Sequence, residues 1–241
     1  MATVLLIESG GNVCSVALAR NNELIGIREE NDPKSHATRL TVFIQELMEE
    51  HGIAVTELDA VAVGRGPGSY TGLRIGVSAA KGICYAAEIP LIAIDSLRAL
   101  ASGILNYTSH SKGFSEEKPL LLCPMIDARR MEVYSAFYTP ELERATEVEA
   151  IVIDSNSFKE TLESSNIIFF GSGADKCKEV IVSPNAHFVE SLEPSARFMI
   201  PLAFKALNTK DFENVAYFEP YYLKDFVAIK AKNKVLTQAK D

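Results

Sequence analysis

The chain has 241 residues, 47% of them hydrophobic and 23% charged, and a formal net charge of -8. That length allows one or two domains with a sizeable core, and no window approaches the roughly 20 consecutive apolar residues of a membrane-spanning helix. The acidity argues against a protein that holds nucleic acid by itself, because phosphate contacts require clustered Lys and Arg, which only the end of the chain offers.

In chain order, the start at Met1-Ala2-Thr3-Val4 has no basic region and Glu8 closes the first apolar run, so no signal peptide is expected and the protein reads as cytoplasmic. Residues 3–8, 12–19 and 23–29 make three strand candidates separated by Gly10-Gly11 and Asn21-Asn22, an antiparallel meander. Thr3-Val4-Leu5-Leu6-Ile7 suits a strand covered on both faces. Residues 36–51 carry Leu40, Phe43, Ile44, Leu47 and Met48 at amphipathic helical spacing, with Ser35 able to cap and Gly52 as a stop. A short strand at 58–63 leads into the run Gly64-Arg65-Gly66-Pro67-Gly68-Ser69-Tyr70-Thr71-Gly72-Leu73-Arg74-Ile75-Gly76 and a helix over 71–88.

That run is a strand-to-helix turn of the kind that binds anions or packs against a close partner. It matches neither G-x-x-x-x-G-K-[ST], since Leu73 follows Gly72, nor G-x-G-x-x-G. Gly72, Gly76 and Ala80 recur at steps of four, and glycine inside a helix costs about 1 kcal/mol against alanine. Another backbone is therefore expected to approach that face, from inside the chain or outside it.

A strand at 91–94 and a helix from Asp95-Ser96 to about 105 complete the first half. The polar stretch 106–118 is the candidate boundary, giving lobes over 1–106 and 107–241. The second half reads as strands at 120–127 and 132–138, a third at 145–153, a helix at 155–162, a strand at 167–170, the turn Gly171-Ser172-Gly173, and helices at 174–180 and 194–207. Lys224, Lys230, Lys232, Lys234 and Lys240 form a basic end that reads first as a solvated tail. Cys14, Cys84, Cys123 and Cys177 lie far apart with no C-x-x-C pair, so buried free thiols are expected. Both halves open with a meander and continue as alternating strand and helix, which describes the two-lobed α/β class of actin, sugar kinases and Hsp70.

The glycine run, Ile126-Asp127-Ala128-Arg129-Arg130-Met131-Glu132-Val133-Tyr134 and Glu219-Pro220-Tyr221-Tyr222-Leu223 together resemble the TsaB (YeaZ) family of bacterial tRNA threonylcarbamoyladenosine biosynthesis proteins, over residues 1 to about 226. The resemblance implies an actin-like (ASKHA) ATPase fold with a mixed sheet flanked by helices in each lobe. It also implies a partnership with the related subunit TsaD, which passes threonylcarbamoyl to the adenosine beside the tRNA anticodon, in a system that includes the P-loop ATPase TsaE. TsaD-type proteins carry a metal-binding His-x-x-x-His where this chain has Ser96 and Leu100, so no metal ligands are expected there.

The hairpin turn that is glycine-rich in nucleotide-binding relatives is here Asp127-Ala128-Arg129-Arg130, and the adenosine-side motif survives as Gly171-Ser172-Gly173-Ala174. Glu8, Asp127, Arg129, Gly171 and Gly173 are thus the candidates for a vestigial nucleotide and metal site, the structural alternatives being a salt bridge across the hairpin and a plain helix N-terminus after Gly173. Glu8 with Asp127 reads either as an acid/base or metal pair, or as structural carboxylates. The expectation is a non-catalytic activator of TsaD with no cofactor, ATP and magnesium being held by partner subunits. It pairs with itself when alone, and meets tRNA only inside the complex and no membrane. The expected partner surface is Leu40, Ile44, Leu47 and Met48 on one helix and Gly72, Gly76, Ala80 and Ile83 on the next. The alternative is an ATPase or small-molecule kinase using the cleft between the lobes.

Overall fold

The computed structural model describes residues 1–32, 34–108 and 118–224. Most of the polar stretch 106–118 and the tail beyond Lys224 therefore lie outside the described residues. β1 (Thr3–Glu8), β2 (Val13–Arg20) and β3 (Glu23–Asn31) pair as an antiparallel meander. The β2–β3 turn places both Asn21 and Asn22 at positive φ, the geometry that lets a two-residue loop follow the strand twist. β4 (Ala60–Gly66) and β5 (Leu91–Asp95) add in parallel, giving the order β3-β2-β1-β4-β5.

The second sheet repeats that plan. β6 (Leu120–Asp127), β7 (Glu132–Ser135) and β8 (Glu149–Val152) are antiparallel, and β9 (Asn166–Phe170) and β10 (Ala186–Val189) run parallel to β6, in the order β8-β7-β6-β9-β10. Two mixed five-stranded sheets with the same order and directions are the duplicated actin-like ATPase fold that the resemblance implied.

Side-chain alternation divides the first sheet between two layers. Leu5, Ile7, Val16, Leu18, Val61 and Val63 pack beneath α1 (His36–Glu50) and α2 (Tyr70–Ala87). Val4, Leu6, Ala17, Ala19, Ala60 and Ala62 face the 3-10 turn Ala196–Met199 and α5 (Ile200–Thr209). β1 is buried at every position, as its unbroken apolar run requires. α3 (Ser96–Thr108) joins the sheets, with Leu97, Leu100, Ala101 and Ile104 packed on Leu122, Ile126, Tyr138 and Ile168. A cut between 106 and 107 falls inside α3, and α5 returns to the first sheet, so the lobes in space are not two successive lengths of chain.

Four local differences from the sequence reading have physical causes. The segment after Gly173 is only a 3-10 turn, Asp175–Cys177, because the space before Pro184 is too short to offset helix nucleation. α4 (Lys159–Ser164) starts late because the Asp154 carboxylate accepts from the Asn156 amide at 2.8 Å and holds a turn instead. α5 starts at Ile200, with Pro201 in its first turn, where a missing N–H costs nothing. β10 is four residues long and half-buried throughout, too short to announce itself by pattern.

Candidate functional site: the interlobe cleft and the outer helix face

The glycine run forms the bend from β4 into α2. Ser69 N–H donates to Gly10 C=O at 2.7 Å and Ser69 Oγ accepts from Gly72 N–H at 3.3 Å, so one residue caps α2 and fastens the loop to the β1–β2 turn. Ser9 Oγ donates to Gly72 C=O at 2.9 Å. A Cβ on Gly72 would overlap Ser9 O, and one on Gly76 would overlap Ser9 Oγ and sit 3.3 Å from Ile7 Cγ2. The backbone that the small-residue face of α2 admits is thus the end of β1 in the same chain.

The residues expected at the partner surface lie mostly inside the first lobe. Leu40, Ile44, Leu47 and Met48 of α1 and Gly72, Gly76 and Ala80 of α2 are buried in the first lobe's own core, and Ile83 is half-buried against it. The amphipathic pattern identified the inward faces of both helices, which are the faces a lone helix most needs to cover. Outward, α1 presents Thr38, Thr41 and Gln45, and α2 presents Ser78, Gly82, Tyr85 and Ala86. Tyr85 is 82% exposed, and a Cβ on Gly82 would meet nothing within 4 Å. Lys81 Nζ donates to Phe218 C=O at 2.8 Å, laying the segment that holds the 85%-exposed Tyr217 beside α2.

Glu8 is 1% exposed at the end of β1. Its Oε1 accepts from Gly10 N–H at 2.8 Å and its Oε2 from Ser96 Oγ at 2.9 Å, while Ser96 Oγ accepts from Gly66 N–H at 3.3 Å. Burial raises the Glu8 carboxyl above its ordinary range, against the lowering effect of these hydrogen bonds. Gly64 leaves the room that the carboxylate occupies. Ser96 and Leu100, the positions compared with a histidine pair, are both buried, the first bonded to Glu8 and the second in the core. All four cysteines are buried free thiols, with Cys123 pushed up to about 12 by desolvation.

Between the lobes lies a cleft of about 440 Å³ bounded by Gly10, Gly11, Gly68–Thr71, Ile126–Arg129, Ser172 and Tyr222–Lys224. Asp127 and Arg129 line it, whereas Glu8 is buried outside that lining, bonded to Gly10 and Ser96. Asp127 is ion-paired with Lys176, which also donates to Glu132 C=O at 2.7 Å. Lys176 belongs to the second lobe's 3-10 turn, so the ion pair fastens that turn to the hairpin. Gly171 has φ of 104°, and a Cβ there would press on Met125 O, while one on Gly173 would meet Val133 Cγ1 at 2.8 Å. Close packing of the turn explains both glycines. Among the described residues no group of three His, Cys, Asp or Glu could hold a metal ion. Of the two carboxylates compared with a vestigial nucleotide and metal site, Glu8 is enclosed and Asp127 is ion-paired with Lys176, and the turn beside Asp127 carries side chains.

Sequence reading passed over what crosses the mouth of this cleft. Tyr221 N–H donates to Arg65 C=O at 2.8 Å, Tyr222 packs against Tyr70 with ring centroids 4.8 Å apart and planes tilted by 38°, and Lys224 pairs with Glu132 of the second lobe. The signal was the Pro220-Tyr221-Tyr222-Leu223 run, whose aromatic pair had no partner assigned. No helix of the described residues is long and apolar enough to cross a membrane.

A family model described as TsaD, tRNA N6-adenosine threonylcarbamoyltransferase, matches residues 15–232. The chain is 31% identical to the Escherichia coli tRNA threonylcarbamoyladenosine biosynthesis protein TsaB, over 94% of this chain and 96% of that one. The Haemophilus influenzae protein of the same name is 28% identical over 95% and 96%. YeaZ from Pseudomonas aeruginosa superimposes with a TM-score of 0.77 at 26% identity, covering 92% of this chain and all of that one.

Proposed function

The chain belongs to the TsaB family of tRNA threonylcarbamoyladenosine biosynthesis proteins, and from that premise we propose that it is a partner subunit without an active centre of its own. Its counterpart is TsaD, which it engages as a heterodimer through the outer face of α1 and α2. Alone it pairs with itself through the same face. ATP, magnesium and the transfer chemistry belong to TsaD and TsaE, and tRNA is met only in the assembled complex.

The observation that carries this reading is the enclosure of Glu8. A carboxylate that orients a metal or an attacking water must reach the substrate, and this one is tied to Gly10 and Ser96 beneath the cleft floor. The outer helix face supports it from the other side. Tyr85 is an exposed aromatic anchor of the kind enriched at the centre of protein interfaces, and the small residues Ser78, Gly82 and Ala86 leave room for a close approach.

The test is size-exclusion chromatography with light scattering on this chain, the TsaD subunit from the same source, and their mixture, with and without ATP and magnesium. A heterodimer that displaces the self-associated form is expected, without nucleotide turnover by this chain alone. Absence of a complex, with ATP turnover by this chain and nucleotide-dependent stabilisation of about 2.7 kcal/mol at 100 times the dissociation constant, would move the function into the cleft.

A further inference from the structure

The segment that crosses the mouth of the cleft is held unequally by the two lobes. On the first lobe it is stitched through its backbone. Glu213 N–H donates to Leu91 C=O at 2.8 Å, adding one antiparallel bridge beyond β5, and Lys81 Nζ donates to Ala216 C=O at 3.3 Å and to Phe218 C=O at 2.8 Å. Phe218 is buried in the core beneath α1 and α2, Tyr221 N–H closes on Arg65 C=O, and Tyr222 packs on Tyr70 of α2. Among the described residues, its hold on the second lobe is by side chains alone. Leu223 is half-buried against the apolar cluster that α3 shares with β6, and the exposed Lys224 pairs with Glu132 and lies 5.8 Å from the Tyr134 ring centroid. Such an ion pair is a weak fastening that salt screens, whereas buried rings and backbone hydrogen bonds are not screened.

We infer that residues 213–224 are a latch, fixed to the first lobe as far as Tyr222, closed on the second lobe by Leu223 and Lys224, and released at that end first. Glu132 is the catch. Its N–H donates to Arg129 C=O at 3.1 Å, and its C=O accepts from Ala128 N–H at 3.1 Å and from Lys176 Nζ at 2.7 Å. Its backbone is thereby fixed in the hairpin, which leaves the carboxylate as a stationary partner for a lysine arriving from the other lobe. Residues 222–224 line the mouth of the 440 Å³ cleft, so the latch governs access to it. Closure of two lobes over a cleft needs a contact that forms and breaks without disturbing either core, and a part-exposed ion pair beside one leucine meets that requirement.

The experiment is amide hydrogen exchange on the full chain, read at Gly10, Gly11, Asn12 and Ser69, which line the cleft in the first lobe. The strand amides of residues 16–18 serve as the reference for global opening. Lys224→Glu is expected to speed exchange at the cleft amides about 2- to 5-fold and to leave the reference unchanged. Leu223→Ala is expected to act in the same direction, and the exchanged pair Lys224→Glu with Glu132→Lys to return the parent rate. In the parent, raising salt from about 0.1 M to about 1 M, over which the Debye length falls from roughly 10 Å to 3 Å, is expected to speed the same amides, and Lys224→Met to remove that dependence. Parent-like exchange in both Lys224→Glu and Leu223→Ala overturns the inference. So does acceleration that includes residues 16–18 equally, which would make the segment a general brace, and so does failure of the exchanged pair to restore the parent rate.

Discussion

Glu8 shows how a residue suggestive of catalysis becomes structural through its surroundings. In the unfolded chain its carboxyl titrates at an ordinary value, and in the fold burial raises it, so the folded protein holds the proton more tightly. The stability contributed by the protonated group is complete below the ordinary value and is lost as pH rises through the raised one. Glu8→Gln keeps an acceptor for Gly10 N–H and removes the ionisation. The stability of Glu8→Gln relative to the parent is therefore expected to rise between pH 5 and pH 8, measured by urea unfolding at both. A difference independent of pH would mean that Glu8 ionises freely. Gly76 carries the second residue-scale prediction. Since a side chain there meets Ser9 and Ile7 of a strand buried at every position, Gly76→Leu is expected to destabilise the isolated chain by about 1–3 kcal/mol. A melting temperature equal to the parent's would show that β1 can yield.

At the scale of elements, α2 has two faces with different work. Its inner face admits β1, and its outer face holds Gly82, beside which a side chain has open space. Gly82→Arg is therefore expected to leave thermal stability within about 0.5 kcal/mol, as surface substitutions do, while abolishing both the heterodimer and self-association. Light scattering reads the masses, and a heterodimer that persists in Gly82→Arg puts the interface elsewhere. The helical period in the sequence located α1 and α2 and their buried residues well. It could not tell a face buried within the chain from one buried between chains, because Leu40, Leu47 and Gly76 look the same in either case. What separates them is β1 and its neighbouring strands beneath both helices, which no spacing within a helix records.

At the scale of the whole molecule, the lobes are seamed by α3 and by a part-buried hydrogen bond. Tyr138 is 1% exposed in the second lobe, and its hydroxyl donates to Asp95 Oδ1, at the end of β5 in the first, at 3.2 Å. Burial and the Asp95 carboxylate push the phenol upward, so it remains a donor. Tyr138→Phe keeps the packing and deletes the bond. The expected cost is about 1 kcal/mol in denaturant unfolding, with faster hydrogen exchange in the amides around Asp95. No change in either would locate the seam in the α3 packing alone.

The sequence by itself determined the local grammar of this protein. Apolar runs set the strands, Asn21-Asn22 and Gly64–Gly68 set the turns, helical spacing set α1 and α2, and three motifs carried the family. These are properties of neighbours along the chain, where backbone sterics and side-chain period act directly. The duplicated sheet order, the enclosure of Glu8, the capture of Asp127 by Lys176 and the crossing of Tyr222 over the cleft were decided only by the tertiary structure. Each joins residues far apart in sequence, and its energy depends on burial and on partners that exist only once both sheets have formed.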